Sequence, residues 1–153
     1  MISRFSATLM DHFQYPRHTG RLSSPDVVGT AGVPGQGRFL VLYLRIHAGR
    51  VAEVSYECHG CGVTIACGSA LTELVQGRTL EQCQAVTPEI LSAALDGVPP
   101  DKQGIPAFAL SALECALAEW RQGEPSDPSR GAGERPPEER GSAGMAVLGS
   151  VPV

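Results

Sequence analysis

Apolar residues recur at helical spacing from the start of the chain. Phe5, Leu9 and Phe13 stand at i, i+4 and i+8, which predicts an amphipathic helix over residues 3–14. Pro16 ends it, and "YPRHTG" reads as a turn. Residues 20–38 are rich in Gly, Pro and Ser and read as loop, with a short strand around Val27–Val28. "FLVLYLRIH", residues 39–47, predicts a strand, "HAG" a turn, and "VAEVSYEC", residues 51–58, the partner strand. In the latter, Ala52, Val54, Tyr56 and Cys58 fall on one face, and Glu53, Ser55 and Glu57 on the other.

The period then changes. A helix is expected over residues 62–76, closed by Gly77. Thr79, with Gln82 three residues on, makes a capping box for the next. Thr87 followed by Pro88 starts a third, which stops near Asp96 and Gly97. "VPPDKQGIP" reads as loop. Residues 106–121 form the last helix, with Leu110, Leu113, Leu117 and Trp120 in one stripe. Strands followed by a run of helices indicate an α+β fold, a short antiparallel sheet covered on one face by helices.

Residues 122–153 break the pattern. They are nearly half Gly, Pro and Ser, with mixed charges and no aromatic residue. Such a segment buries too little apolar surface to offset its ordering entropy, so it is expected to be a disordered tail after a folded domain at 1–121.

Composition narrows the function classes. Hydrophobic residues make up 42% of the 153 and aromatics 5%, so the core must be aliphatic. The net charge of −4 argues against a nucleic-acid module, which carries a basic face. The N-terminal stretch lacks the apolar region of a signal peptide, and no run approaches the roughly 18 apolar residues of a membrane span. A cytoplasmic protein with reduced cysteines is the expectation, and their odd count of five disfavours a disulfide framework.

Three of the five lie in "YECHGCGVTIACGSALTE", residues 56–73. Cys61 sits between Gly60 and Gly62 where a strand turns into a helix. Glycines free the backbone and keep side chains away from a bound group, and a helix N-terminus lowers a thiol's pKa. Cys58 shares parity with apolar strand positions, and Cys67 shares helical spacing with Val63, Ala70 and Leu71; both read as core, as do Cys83 and Cys115. Two other uses of the cluster remain open. Cys58, His59, Cys61 and Cys67 are zinc-ligand types, though no second C-x-x-C completes a paired knuckle. Cys58 and Cys61 also form a C-x-x-C, but the second cysteine, not the first, adjoins the helix, and the strands form a hairpin.

Several segments resemble the NifU/IscU-type iron–sulfur cluster assembly scaffold domain. "LMDHFQYPRHTG", residues 9–20, looks like its N-terminal signature. "GVPGQGR", residues 32–38, is similar to its "GxPxCGD" loop. "HGCGVTIACGSALTELVQGRTLEQCQAV", residues 59–86, resembles its Gly-Cys-Gly block, and "VPPDK", residues 98–102, its "LPPVK" segment. The resemblance runs in order over about residues 5–121. It implies a small sheet backed by helices that assembles an iron–sulfur cluster on three cysteines, helped by an aspartate and a histidine, and passes it to recipients. It also implies a cysteine desulfurase and other assembly factors as partners, and a scaffold or sulfur carrier rather than a turnover enzyme.

The departures fall on the cluster ligands. The first ligand cysteine corresponds to Gln36 and the aspartate to Arg38. The Lys-x-His-Cys segment reads Lys102-Gln103-Gly104-Ile105, which loses both histidine and cysteine. Of the ligand cysteines only Cys61 is kept. Irons in clusters take several soft thiolates, so three roles follow as expectations. The chain holds iron or a cluster in divergent form, with Cys61 helped by Cys58, Cys67 or a second chain. Or Cys61 accepts persulfide sulfur, as in the related SufE-type acceptors, with Arg38 favouring the anion. Or the chain is a non-catalytic module that binds a desulfurase.

Overall fold

The computed structural model describes residues 5–123. In chain order it holds helix α1 (Ala7–Gln14), strands β1 (Val27–Gly32), β2 (Phe39–His47) and β3 (Arg50–His59), helices α2 (Gly62–Val75), α3 (Leu80–Gln84) and α4 (Pro88–Ala94), a single 3-10 turn (Pro100–Lys102), and helix α5 (Gly104–Gly123). By compactness the chain divides into residues 1–119 and 120–153, and the sheet and the cysteine-bearing corner both lie in the first. Of the expected tail, Gln122 and Gly123 belong to α5, and residues 124–153 lie outside the described residues.

The three strands form one antiparallel sheet in the order β1-β2-β3. His47 pairs with Arg50 across a two-residue turn in which Ala48 and Gly49 both have positive φ (55° and 75°). That geometry matches the right-handed twist of the strands. Leu40, Leu42 and Leu44 alternate onto one face of β2 and are wholly enclosed. Val63, Ala66, Cys67, Ala70 and Leu71 of α2 and the Ala/Leu stripe of α5 belong to the same core. The expected α+β architecture is the one found.

The parity of β3 departs from the expected alternation. Register slips between Arg45 and Ile46, where Glu53 pairs with Arg45 and Val51 with Ile46, leaving Ala52 without a partner. This bulge turns Ala52 out to solvent and Val51 into the core, while Val54 and Tyr56 stay inside as expected. Ser55, expected on the polar face, is buried as well.

Helix ends follow their caps. Thr79 and Gln82 complete the predicted capping box, and the Thr87 hydroxyl accepts from the Ile90 amide (3.1 Å). The first helix is shorter than the pattern implied, because Ser6 caps it by accepting from Leu9 N–H (2.9 Å). α5 starts at Gly104, before the expected 106; Pro106 fits there because first-turn amides need no helical partner.

α1 faces inward with His12 rather than Phe13, which is 40% exposed. The His12 imidazole reaches α2, with Nδ1 2.7 Å from Ser69 Oγ, and that same hydroxyl oxygen accepts from the Arg17 amide (2.9 Å). Arg17 in turn bridges Asp11 and Glu73, and His18 Nδ1 lies 2.9 Å from Thr72 Oγ1. Two sequence blocks, 11–18 and 69–73, are thereby fastened side by side. Replacing Ser69 by alanine strands a buried imidazole nitrogen and an amide, at a cost of about 1–3 kcal/mol readable by denaturant titration.

Burial, helped by Arg17, holds the His12 pKa below its ordinary value against the opposing pull of Glu73 and Asp11. Its neutral form is therefore the one the fold stabilises. This contribution is complete above about pH 6.5 and is lost as pH falls through the lowered folded-state value. A His12→Gln chain, which lacks the titrating group, should show a flatter loss of stability on acidification than wild type.

Candidate thiolate site at the strand to helix corner

β3 ends at His59 and α2 begins at Gly62, so Gly60 and Cys61 make the corner. Cys61 is exposed and occupies the cap position of α2 with extended backbone angles (φ −80°, ψ 177°). Neither flanking glycine has positive φ. What they supply is room, not unusual angles. A Cβ on Gly60 would stand 2.7 Å from Thr64 Oγ1, and one on Gly62 3.1 Å from the Phe13 ring. Phe13 thus covers the corner instead of entering the core.

The Cys61 sulfur makes no full capping hydrogen bond, but it lies 3.7 Å from Thr64 Oγ1. Partial burial pushes its pKa up. The Thr64 amide and hydroxyl, the Val63 amide and the Lys102 ammonium together outweigh that push and hold the thiol below the ordinary cysteine value. This is the polarity of a helix N-terminus acting on an anion. Thr64→Ala and Lys102→Met should each shift the pH profile of Cys61 alkylation by iodoacetamide to higher pH; unmoved profiles would show that neither group acts on the thiol.

The neighbouring thiols differ. Burial pushes Cys58 up to about 11 and Cys67 up to about 12, with the charge of nearby Cys61 adding to both. Cys67 is fully enclosed, and Cys58 is half-buried against the core. Cys83 is also enclosed, its thiol raised to about 11. Cys115 departs from expectation: it is half-buried on α5 and lies outside the core cluster, while Ala112, Leu113 and Ala116 fill the inward stripe.

The remaining sequence candidates are spread around the corner. His59 stacks on Phe39, its cross-strand partner, at 6.2 Å between ring centroids. Gln36 is exposed in the β1–β2 loop, where its amide donates to Val33 (2.9 Å). Arg38 lies over the Phe108 ring at 4.5 Å. Gly104 opens α5, and Ile105 behind it is 4% exposed, packed in the core. The cation that acts on Cys61 is Lys102, not the Arg38 that the sequence suggested.

Thr64 and Lys102 escaped the sequence reasoning. Thr64 had a signal, because it stands three residues after the cap, where a capping partner belongs. Lys102 had one as well, in the segment that resembles Lys-x-His-Cys, but its action on Cys61 shows only in the fold.

Among the described residues, no group of three or more His, Cys, Asp or Glu side chains is placed to hold a metal ion. One accessible low-pKa thiol, with apolar Ile105 and cationic Arg38 where the resemblance implied ligands, does not fit a cluster held by this chain alone. Also among the described residues, no helix is long and apolar enough to cross a membrane.

Comparison with known proteins places these features. The family model "NifU-like N terminal domain" matches residues 4–126. The chain is 48% identical over 111 residues to a "Nitrogen fixation protein NifU" of Cereibacter sphaeroides, covering 72% of this chain and 45% of that protein, so it spans less than half of that relative's length. It is 32% identical over 116 residues to an "Iron-sulfur cluster assembly scaffold protein IscU" of Archaeoglobus fulgidus, covering 76% of each. Its fold resembles the solved N-terminal part of a NifU-like protein from Brucella abortus, with a TM-score of 0.64 at 16% identity over 76% of this chain and 94% of that one. A scaffold protein from Fervidobacterium islandicum gives a TM-score of 0.59 at 18% identity, over 74% and 96%. With the family model spanning the whole sheet and all five helices, the chain belongs to the NifU-like N-terminal domain family.

Proposed function

We propose that this chain serves iron–sulfur cluster assembly as a scaffold-type protein whose working group is the Cys61 thiolate, which receives persulfide sulfur. Relatives named as cluster assembly scaffolds support the class. The observation that carries the mechanism is the split among the three clustered thiols: Cys61 exposed and lowered, Cys58 and Cys67 covered and raised. The thiolate is the form that attacks sulfur.

In the transfer, Cys61 Sγ attacks the outer sulfur of a donor persulfide. The donor's S–S bond breaks, its inner sulfur leaves as a thiolate, and the outer sulfur stays on Cys61. No net oxidation occurs. Lys102 and the first-turn amides of α2 stabilise the anionic persulfide that results. A cysteine desulfurase is the partner this chemistry needs, because such an enzyme presents sulfur in that form. The chain should gain one sulfur atom at Cys61, seen by peptide mass spectrometry after incubation with a desulfurase and cysteine; no added sulfur there would exclude this mechanism.

Iron or cluster binding in divergent form is the second reading. What supports it is that charge on Cys61 acts on both Cys58 and Cys67. Anaerobic reconstitution separates the two, since visible absorption that depends on iron and on Cys58 would support bound iron.

A further inference from the structure

Cys58 and Cys61 stand on the two elements that meet at the corner. Cys58 pairs with Leu40 in the ladder, and two residues before it Tyr56 lies under α2. The Tyr56 hydroxyl donates to the Ile65 carbonyl (2.7 Å), and a Cβ on Gly68 would meet its ring at 2.3 Å. The next residue on that face of the strand is Cys58, about 7 Å further along. That step leads out of the cover of Ile65 and Gly68 and towards the corner where Cys61 caps α2. Only His59 and Gly60 separate the two cysteines. Burial is graded across the cluster, with Cys61 exposed, Cys58 half-buried and Cys67 enclosed.

We propose that Cys58 discharges the Cys61 persulfide, expelling its outer sulfur as hydrosulfide and closing a Cys58–Cys61 disulfide. This rests on the persulfide role of Cys61. The Cys58 sulfur bonds to Cys61 Sγ, and the bond between Cys61 Sγ and the outer sulfur breaks. The electron pair of that bond goes to the outer sulfur, as does the Cys58 proton, so a persulfide anion yields HS⁻. The two cysteine sulfurs each lose one electron and the outer sulfur gains two. No outside oxidant or reductant enters the step, and a cellular thiol reductant reopens the disulfide afterwards.

The step has a use. A persulfide delivers sulfur in the sulfane state, whereas an iron–sulfur cluster contains sulfide. In this step the half-buried Cys58 thiol, which gives up its proton as it attacks, supplies both the electrons and the proton for that conversion. Cys67 is enclosed and lies further along α2, so it stays out of the exchange.

The test loads the full chain with inorganic polysulfide as the sulfur donor, removes small molecules by desalting, and follows it without reductant. Hydrosulfide, trapped with bromobimane, should appear in step with a Cys58–Cys61 disulfide seen by peptide mapping. In Cys58→Ser the extra sulfur should stay on Cys61 and hydrosulfide should fall to the buffer background. Hydrosulfide at the wild-type rate from Cys58→Ser, or from wild type without that disulfide, overturns the proposal. So does a disulfide to Cys67 instead, or transfer of the sulfur intact onto Cys58. The wild-type mapping keeps the test independent of how well the variant folds. If no sulfur ever loads onto Cys61, it is the underlying persulfide role that fails, and the discharge falls with it.

Discussion

Replacing Cys61 with serine is expected to abolish sulfur uptake from a persulfide donor, leaving no modified peptide from residues 56–73. A serine hydroxyl is not ionised near neutral pH and is a poor nucleophile towards sulfur. The adjacent thiols do not load from an outside donor in its place, because Cys67 is enclosed and Cys58 half-buried and burial raises both, to about 12 and about 11. Attack on a persulfide already held at Cys61 is a separate, intramolecular step. Cys115, half-buried on α5 and outside the cluster, provides the control, and Cys115→Ser should load as wild type does. In the wild-type chain the rate of uptake should rise with pH along a profile displaced to lower pH than that of an ordinary cysteine, because the Cys61 thiol is held below its usual value. Uptake that survives in Cys61→Ser, or that follows Cys115, would remove Cys61 from the mechanism.

The largest loss of stability is expected from Gly29→Ala, a change of one methyl group on β1. A Cβ there would lie 2.0 Å from the Ala112 carbonyl oxygen and 2.5 Å from the Ala116 amide nitrogen. Both are backbone atoms of α5, so no side-chain rotation makes room. The helix has to move off the sheet, opening gaps around Ala109, Leu113 and Ala116, all enclosed in the wild type. Overpacking of this kind costs about 3 kcal/mol, at the upper end of the usual range. A thermal melt should fall by many degrees for a domain of this size. Gly68→Ala makes a milder comparison: its clash is with the Tyr56 ring, which can shift if it gives up its hydrogen bond to Ile65. An unchanged melting temperature for Gly29→Ala would show that α5 does not press on β1.

The local devices were legible in the chain. Thr79 with Gln82, Thr87 with Pro88, and the alternation of β2 all act within a few residues, so their signals lie in adjacent letters. Where the pattern misled, a distant partner had decided the outcome. Phe13 and His12 compete for the inward face of α1, and hydrophobicity favours Phe13. Ser69 and Glu73 on α2 satisfy the imidazole, so the polar residue goes inside and the aromatic one covers Gly62. The bulge at Ala52 is likewise invisible in an alternating sequence, because it arises from the register of β2 against β3.

The sequence by itself determined the α+β order of elements, the corner that carries Cys61, and the presence of Gln36, Arg38 and Ile105 where the family resemblance leads one to expect cluster ligands. These depend on residue identity and short-range spacing, which a chain carries whether or not it is folded. Only the tertiary structure decided which cation faces Cys61, that its glycines provide space rather than backbone freedom, and that Cys58 lies half-buried on the face of β3 that α2 covers. Those facts depend on contacts between residues far apart in the chain, and nothing in the letters near residue 61 records them.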